Sequence, residues 1–516
     1  MDAAALAAEL VAQPFGSYFD VFDAWAKDRP DAPALRDDHG ELTWAEMTDR
    51  IERIAARLVE TGLERGQSVC ILGTSDIDYA LVFLAAVRAG GVAAPLTTSA
   101  SPAQLEAMAK DSGARHLFID RAKADELGDG ALAGYERILL GEELDAWMAP
   151  AGTRAPAFTP EKSDPFNIIY SSGTTGTPKG IVQSHQMRWR QYASTANSYL
   201  NADREVGGMC STPLYSNTTM VAFLGPLMAG GMTRITSKFN TVKWLEQAEG
   251  DRTTITMLVP VQYQRLMAEP RFDEFDLSAM ELKYCTSAPF SAELKAEVLR
   301  RMPGGLVEIY SMTEGGVVVI LAAHEFPDKL HTVGRPAPGS DLKVLDDNDQ
   351  EVPPGTPGNL VGRSATMMSG YKNQPDKTAE GYWTDPATGE TWQRMGDIGR
   401  IDADGFVELV GRAKDMIISG GFNIYPSDLE AELDKEDTVI ESAVIGVPSE
   451  QWGETPVGFV VLKDGGNADA VMAAVNGRVG KTQRLSALHP IDEMPRSHIG
   501  KLLKTELRQR YDAMTG

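Results

Sequence analysis

The chain has 516 residues, 43% of them hydrophobic and 24% charged, which excludes a disordered protein and leaves length for roughly two to four folding units. Its 49 Lys plus Arg against 73 Asp plus Glu give a net charge of −24, the reverse of the basic stripe that a nucleic-acid binder presents. Three scattered cysteines, Cys70, Cys210 and Cys285, form no CxxC pair, so neither a disulfide framework nor a zinc knuckle is expected, and a reducing, cytoplasmic setting fits. The N-terminus, with Asp2, Glu9 and no Lys or Arg before Lys27, does not read as a signal peptide. No apolar run approaches the roughly 20 residues of a membrane span.

Thr43 and Glu46 have the spacing of a capping box, and Met47, Ile51, Ile54, Ala55 and Leu58 follow at helical spacing until Gly62. Ser68 to Leu72 reads as a buried strand. A second helix is expected from Asp76 to Ala89, stopped by Gly90-Gly91, with a strand beginning at Val92. Strand, helix, strand at this cadence predicts a parallel α/β architecture.

The chemically richest segment is Ile168-Ile169-Tyr170-Ser171-Ser172-Gly173-Thr174-Thr175-Gly176-Thr177-Pro178-Lys179-Gly180. An apolar strand runs into glycines, hydroxyls and a lysine. Glycines let backbone N–H groups approach a phosphate, hydroxyls add donors, and the lysine adds charge. It is not a Walker A loop, because Pro178 stands where that motif needs glycine and Gly180 follows Lys179. A plain surface loop is a poor account of so many donors directly after a buried strand.

Further along, Phe406 to Val410 reads as a strand, followed by the charged turn Gly411 to Asp415. Strand patterns then fall at Ser442–Gly446 and Val457–Leu462, and helical patterns begin near Asp469 and Gly500. This last stretch has the size and texture of a small α+β domain.

The phosphate-loop segment resembles the signature of the AMP-forming adenylating enzymes, the superfamily of acyl-CoA synthetases, luciferases and peptide-synthetase adenylation domains. Other stretches resemble that family's motifs in the family's order. They are Ala89 to Leu96, Ser287-Ala288-Pro289, Tyr310-Ser311-Met312-Thr313-Glu314, Gly396-Asp397 with Gly411-Arg412, Ser419 to Ile424, and Pro495 to Lys501. The resemblance spans nearly the whole chain. It implies a large multi-layer α/β N-terminal domain over residues 1–411, a hinge at 412–415, and a small mobile α+β C-terminal domain over 416–516.

The resemblance also implies roles. Ser171, Ser172, Gly173, Thr174, Thr175, Gly176 and Lys179 would cradle the phosphates of ATP. Ser287, Ala288, Pro289 and Tyr310 would surround adenine. Asp397 would accept from the ribose hydroxyls, with Arg412 beside it. Thr313 would donate to the α-phosphate and Glu314 would hold Mg²⁺. Lys501 would meet the negative charge that builds when a carboxylate attacks phosphorus. Lys414 matches the hinge position, and Gly420 and Gly421 the loop facing a coenzyme A tunnel. Taken singly, a tyrosine is usually core and a charged residue usually solvated surface; the ordered set of motifs favours the functional reading.

Two departures bear on the acyl site. Ser311 stands where the family's YGxTE motif has glycine, and Ser216 where many acyl-CoA synthetases have a histidine after PLF or PLY. The acyl-pocket candidates are Tyr215, Ser216, Asn217, Tyr263, Ser311 and Met312. No Asp or Glu lies between Met209 and Met228 to pair with an α-ammonium, so an amino acid is disfavoured. Aromatic and small side chains favour an aryl or arylalkanoic acid, arylpropionates included, over a medium- or long-chain fatty acid.

The expected reaction is carboxylate plus MgATP to acyl-AMP and pyrophosphate, then coenzyme A to acyl-CoA and AMP. Free coenzyme A is favoured over a carrier arm because no carrier domain follows Gly516, although an enzyme loading a separate carrier protein would share these motifs. Luciferase-like oxidation would share the first step. A non-catalytic nucleotide-binding protein would have no need of Lys501, Glu314, Asp397 and Arg412 together. His185 is expected to pack rather than ligate. A homodimer is compatible with the sequence.

Overall fold

The computed structural model describes residues 3–128, 130–171, 179–200, 205–419, 422–497 and 500–515. The chain divides into two compact units. One comprises Met1–Leu330, Pro336–Asp341 and Arg363–Gln393, and the other His331–Arg335, Leu342–Gly362 and Arg394–Gly516.

The larger unit contains two mostly parallel sheets. In one, the order is Gly370–Tyr371, Lys179–Ser184, Pro165–Ser171, Val92–Pro95, Ser68–Leu72, His116–Ile119 and Glu136–Leu139. In the other, a parallel centre built from Gly207–Cys210, Met232–Ile235, Ile255–Leu258 and Leu282–Cys285 is extended by Gly305–Met312, against which Gly315–Ala322 runs antiparallel. A core cluster takes side chains from both sheets and from the helices Tyr18–Asp28, Trp44–Glu60, Ile77–Arg88 and Met220–Met228.

Local chemistry sets these elements. The helix Trp44–Glu60 starts at the expected capping box, with Thr43 N–H on Glu46 Oε2 at 2.9 Å and Glu46 N–H on Thr43 Oγ1 at 3.2 Å. Asp76 caps the helix Ile77–Arg88 through the Tyr79 N–H at 2.8 Å. Every residue from Tyr79 to Val87 in that helix is buried, so it is apolar all round rather than amphipathic.

Two hairpins carry the sequence motifs. Pro165–Ser171 runs antiparallel to Lys179–Ser184 with Ser171 opposite Lys179 and Asn167 opposite Gln183. The loop between them, with Ser172, Gly173, Thr174, Thr175 and Gly176, lies outside the described residues. In the second hairpin Met312 pairs with Gly315, which leaves Thr313 and Glu314 as the turn. Gly315 has φ +86°, and a Cβ there would collide with the Thr366 carbonyl oxygen, so the turn lies flat on that backbone.

The strand Thr391–Ile401 starts in the larger unit, and its later part, Asp397–Ile401, pairs in the smaller unit with Val407–Arg412, placing Asp397 opposite Arg412. The strand therefore runs through Gly411-Arg412, and the charged turn begins only at Ala413. A second sheet is ordered Phe422–Ile424, Ile417–Ser419, Gly453–Leu462 and Val439–Ser449, with Ala487–Pro490 parallel to Gly453–Leu462. One core holds residues of the helices Pro426–Leu433 and Ala468–Arg478, and a second holds Leu507 of Lys504–Thr515. The last helix begins at Lys504 rather than near Gly500, because Gly500 has φ +74° and Leu502 is bridged to Arg496 in extended form.

All three cysteines are buried and unpaired; burial pushes the Cys70 thiol up to about 12 and raises Cys210 and Cys285 likewise. No helix among the described residues is long and apolar enough to cross a membrane.

Lys283, on the strand Leu282–Cys285, has no exposed surface. Its ammonium donates to the carbonyls of Met302, Pro303 and Gly304 at 3.1, 2.6 and 2.6 Å, just beyond the helix Ala292–Arg301. It thereby satisfies three successive backbone carbonyls of the turn that leaves the helix. Lys283→Met should cost about 2–4 kcal/mol, since buried acceptors lose their donors, and a urea midpoint measurement reads this directly. An unchanged midpoint would mean that water replaces the ammonium.

Candidate active site

In the larger unit the Thr313–Glu314 turn is held from several directions. Tyr371, on the short strand beside Lys179–Ser184, donates its hydroxyl to Glu314 Oε1 at 2.8 Å. The Lys179 ammonium lies 5.0 Å from the centre of the same tyrosine ring, a cation–π contact. Burial first, then the Glu314 carboxylate, raises the Tyr371 phenol far above its usual range, so it stays a donor. The Gln183 amide donates to the Thr313 carbonyl at 2.9 Å, and the Met368 N–H to the Glu314 carbonyl at 2.8 Å.

With one carboxylate oxygen of Glu314 accepting from Tyr371, the other has no hydrogen-bond partner among the described residues and can face a hard cation. Among the described residues no group of three or more His, Cys, Asp or Glu could hold a metal. A lone carboxylate fits Mg²⁺ that arrives with phosphate ligands of its own.

The other candidates of this unit are tied into the same region. Ser287 has φ +83°, a strained conformation for a residue with a Cβ, and its hydroxyl lies 2.6 Å from that of Thr218. Ala288 is half-buried, Pro289 is exposed, and Tyr310 and Met312 are half-buried on or beside the second hairpin. Ser216 is buried and caps the 3₁₀ turn Asn217–Thr219, accepting from the Thr218 N–H at 3.3 Å. Ser311 donates to the Val317 carbonyl at 2.9 Å, so the hydroxyl added at the usual glycine is spent across its own hairpin. Tyr215 is half-buried beside the hydroxyls of Thr97 and Thr98. Tyr263 has no exposed surface, stacks on Phe290 at 5.4 Å, and donates to the Tyr284 carbonyl at 2.9 Å; here it is a packing residue. His185 is buried beside Phe166 and Phe158, and burial pushes it down to about 4, which keeps it neutral.

The smaller unit gathers the rest. Arg412 Nε lies 3.4 Å from Asp397 Oδ1. Lys501 follows a tight turn in which the Ser497 N–H donates to the Lys501 carbonyl at 2.8 Å and the Lys501 N–H to Ser497 Oγ at 3.1 Å. Arg496 braces the turn through the Gly500 carbonyl at 2.8 Å and Glu441 at 3.2 Å. Burial, then Arg412 and Lys414, lower Lys501 to about 8, against the opposing pull of Asp397 and Asp415. This cluster is rich in cations and poised for anionic oxygen. Gly420, Gly421, His498 and Ile499 lie outside the described residues.

Sequence reasoning missed Tyr371, Gln183 and Arg188. Tyr371 had a weak signal in Gly370-Tyr371. Gln183 had a better one, because an amide interrupts the apolar run Ile181-Val182 of a strand directly after the phosphate loop.

The Lys501 amine should titrate near pH 8 in competitive chemical labelling. Arg412→Gln and Lys414→Gln should each move that midpoint upward, since each removes a neighbouring positive charge. A midpoint above pH 10 in the unaltered protein would contradict the crowded cluster.

A model of the AMP-binding enzyme family matches residues 22–372, and a model of the AMP-binding enzyme C-terminal domain matches residues 428–501. A feruloyl-CoA synthase of an Amycolatopsis species is 33% identical over 494 residues, covering 94% of this chain and 97% of that protein. An indoleacetate–CoA ligase of Aromatoleum aromaticum is 30% identical over 508 residues, covering 94% and 96%. The ATP-bound structure of MatB from Rhodopseudomonas palustris matches with a TM-score of 0.86 at 29% identity, covering 95% of this chain and 99% of that one. The family matches, the CoA-ligase relatives and a fold shared with an ATP-bound structure agree: the chain belongs to the AMP-binding enzymes and is an AMP-forming acid–thiol ligase that uses ATP, Mg²⁺ and coenzyme A.

Proposed function

We propose that this ligase activates an aryl or arylalkanoic acid, arylpropionic acids included. The carboxylate oxygen attacks the α-phosphorus of ATP and pyrophosphate leaves; the thiol of coenzyme A then attacks the acyl carbon and AMP leaves. The observation that carries the catalytic part is Lys501, lowered to about 8 beside Arg412, Lys414 and Asp397. A protonated lysine there stabilises negative charge as it builds on phosphorus. Asp397 accepts from the ribose hydroxyls, with Arg412 supporting the sugar. Thr313 donates to the α-phosphate, and Glu314, held by Tyr371, supplies a carboxylate oxygen to Mg²⁺. Ser171, Lys179 and the intervening loop bind the terminal phosphates, while Ser287, Ala288, Pro289 and Tyr310 border adenine.

In this reading residues 1–411 form the adenylate-forming domain, Lys414 sits in a hinge at 412–415, and residues 416–516 bring Lys501 to one half-reaction and Gly420-Gly421 to the other. The acid class rests on Tyr215, Ser216, Asn217, Ser311 and Met312, on the absence of an acid between Met209 and Met228, and on relatives named for feruloyl, indoleacetate and 4-coumarate groups. Three buried, unpaired thiols support action in a reducing compartment.

Pyrophosphate and AMP release, measured with MgATP over aryl, arylalkanoic, medium-chain and long-chain acids with and without coenzyme A, tests the proposal. The expected result is turnover with aryl or arylalkanoic acids together with the matching acyl-CoA. Turnover restricted to aliphatic acids would overturn the substrate class, and exchange without acyl-CoA would point to a carrier protein. Lys501→Ala should depress acyl-AMP formation while sparing thiolation of supplied acyl-AMP; equal loss of both steps would count against the division of labour. Tyr371→Phe keeps the ring under Lys179 but removes a hydrogen bond to a charged carboxylate, so kcat/KM for MgATP should fall about 10-fold or more. Unchanged Mg²⁺ and ATP dependence in that variant would separate Tyr371 from the function of Glu314.

A further inference from the structure

Arg188, on the helix His185–Leu200, has no exposed surface, and no carboxylate pairs with it among the described residues. Its partners are neutral. Nε donates to Asn167 Oδ1 at 2.8 Å, Nη1 to Gln191 Oε1 at 2.9 Å and to the Tyr192 hydroxyl at 3.0 Å, and Nη2 to Gln183 Oε1. Burying a cation among dipoles is costly, and the cost is visible: Asn167 turns its oxygen to the guanidinium and leaves its Nδ2 buried with no hydrogen-bond partner among the described residues.

What the guanidinium does is fix polarity. It only donates, so the atom of Gln183 facing it must be the carbonyl oxygen. The amide nitrogen is thereby turned to the Thr313 carbonyl at 2.9 Å and to Asn217 Oδ1 at 3.3 Å. Asn217 in turn spends its oxygen on Gln183, so its own NH₂ group is the part left to donate, and the residue is only half-buried. Asn217 opens the 3₁₀ turn whose Thr218 meets Ser287. One donor-only group thus orients two amides in series, ending between the Thr313 backbone and the Ser287 segment.

We infer that Arg188 is a positioning residue that sets Asn217 as an N–H donor toward the carboxylic acid. The site then selects acids that carry a hydrogen-bond-accepting oxygen, such as a ring ether, carbonyl or phenol, away from the reacting carboxylate. This rests on the aryl-acid reading above and on Asn217 lining the acid site. An acid of the same shape without that oxygen leaves the donor unpaired and is rejected.

The test is acid-dependent ATP–pyrophosphate exchange with 3- and 4-methoxycinnamate, which only accept, against 3- and 4-ethylcinnamate, which have the same shape and neither donate nor accept, with 3- and 4-hydroxycinnamate as a third pair. At one ring position the methoxy acid should exceed the ethyl acid about 10-fold or more in kcat/KM. Asn217→Asp replaces the donor by an acceptor of the same shape; the methoxy preference should vanish while the hydroxy acid, whose phenol can turn to donate, is retained. Arg188→Met leaves the acceptor-only Thr313 carbonyl as the one remaining group that fixes the Gln183 amide among the described residues, and the preference should shrink about threefold or more. Each ratio is taken within one preparation, so a reduced active fraction cancels and a purely structural role would not move it. A ratio near one in the unaltered enzyme at both positions, or a preference unchanged in Asn217→Asp, overturns the inference. A preference unchanged in folded Arg188→Met also overturns the inference; should that variant fail to fold, Arg188→Lys, which keeps the charge but loses the planar fork, takes its place with the same two outcomes. Exchange with aliphatic acids alone overturns the inference and leaves ligase chemistry standing, whereas no exchange with any acid removes both.

Discussion

Period-two alternation along the strand Lys179–Ser184 governs much of the chemistry in the larger unit. Lys179, Ile181 and Gln183 share a face, set by pairing with Ser171, Ile169 and Asn167. At one end of that face Lys179 meets Tyr371 and, through it, Glu314. At the other end Gln183 reaches the Thr313 backbone. The Thr313–Glu314 turn is therefore held at two points by one strand. A slip of a single residue would turn every one of these contacts to the opposite face.

Charge is used quite differently in the two units. The chain carries −24 overall, yet the smaller unit concentrates Arg412, Lys414 and Lys501 around two aspartates, and the larger unit buries Arg188 among neutral amides. Net charge describes solubility and long-range attraction, whereas phosphate chemistry depends on where a few cations stand. Lys501 is lowered by burial first and then by its like-charged neighbours Arg412 and Lys414. The arginine whose described partners are all neutral works by directionality instead.

What was legible in the sequence had local causes. The capping box at Thr43 and Glu46, the cap at Asp76 and the strand Ser68–Leu72 fall where spacing and residue type put them. The motif positions Asp397, Arg412, Thr313 and Glu314 fall on strands and turns that bring their neighbours together. Tyr371, Lys283 and the pair Gln183–Arg188 were not legible, because their partners lie far along the chain or depend on a donor count that appears only once the groups touch. The division into units was also beyond local reading: residues 331–335 and 342–362 join the smaller unit through contacts with strands that come much later. Tyr263 illustrates the converse, an aromatic of the right type whose ring is used for packing.

The three buried cysteines have a practical bearing on how turnover can be followed. Their thiols are unpaired, shielded from solvent and shifted strongly toward the protonated form. Thiolate is the species that attacks aromatic disulfide reagents, so the folded protein should be silent toward them. Free coenzyme A becomes the only reactive sulfhydryl in a purified assay without reductant, and its disappearance reads thioester synthesis continuously. Any slow colour that develops without acid would instead count molecules opening, giving a measure of conformational integrity from the same cuvette.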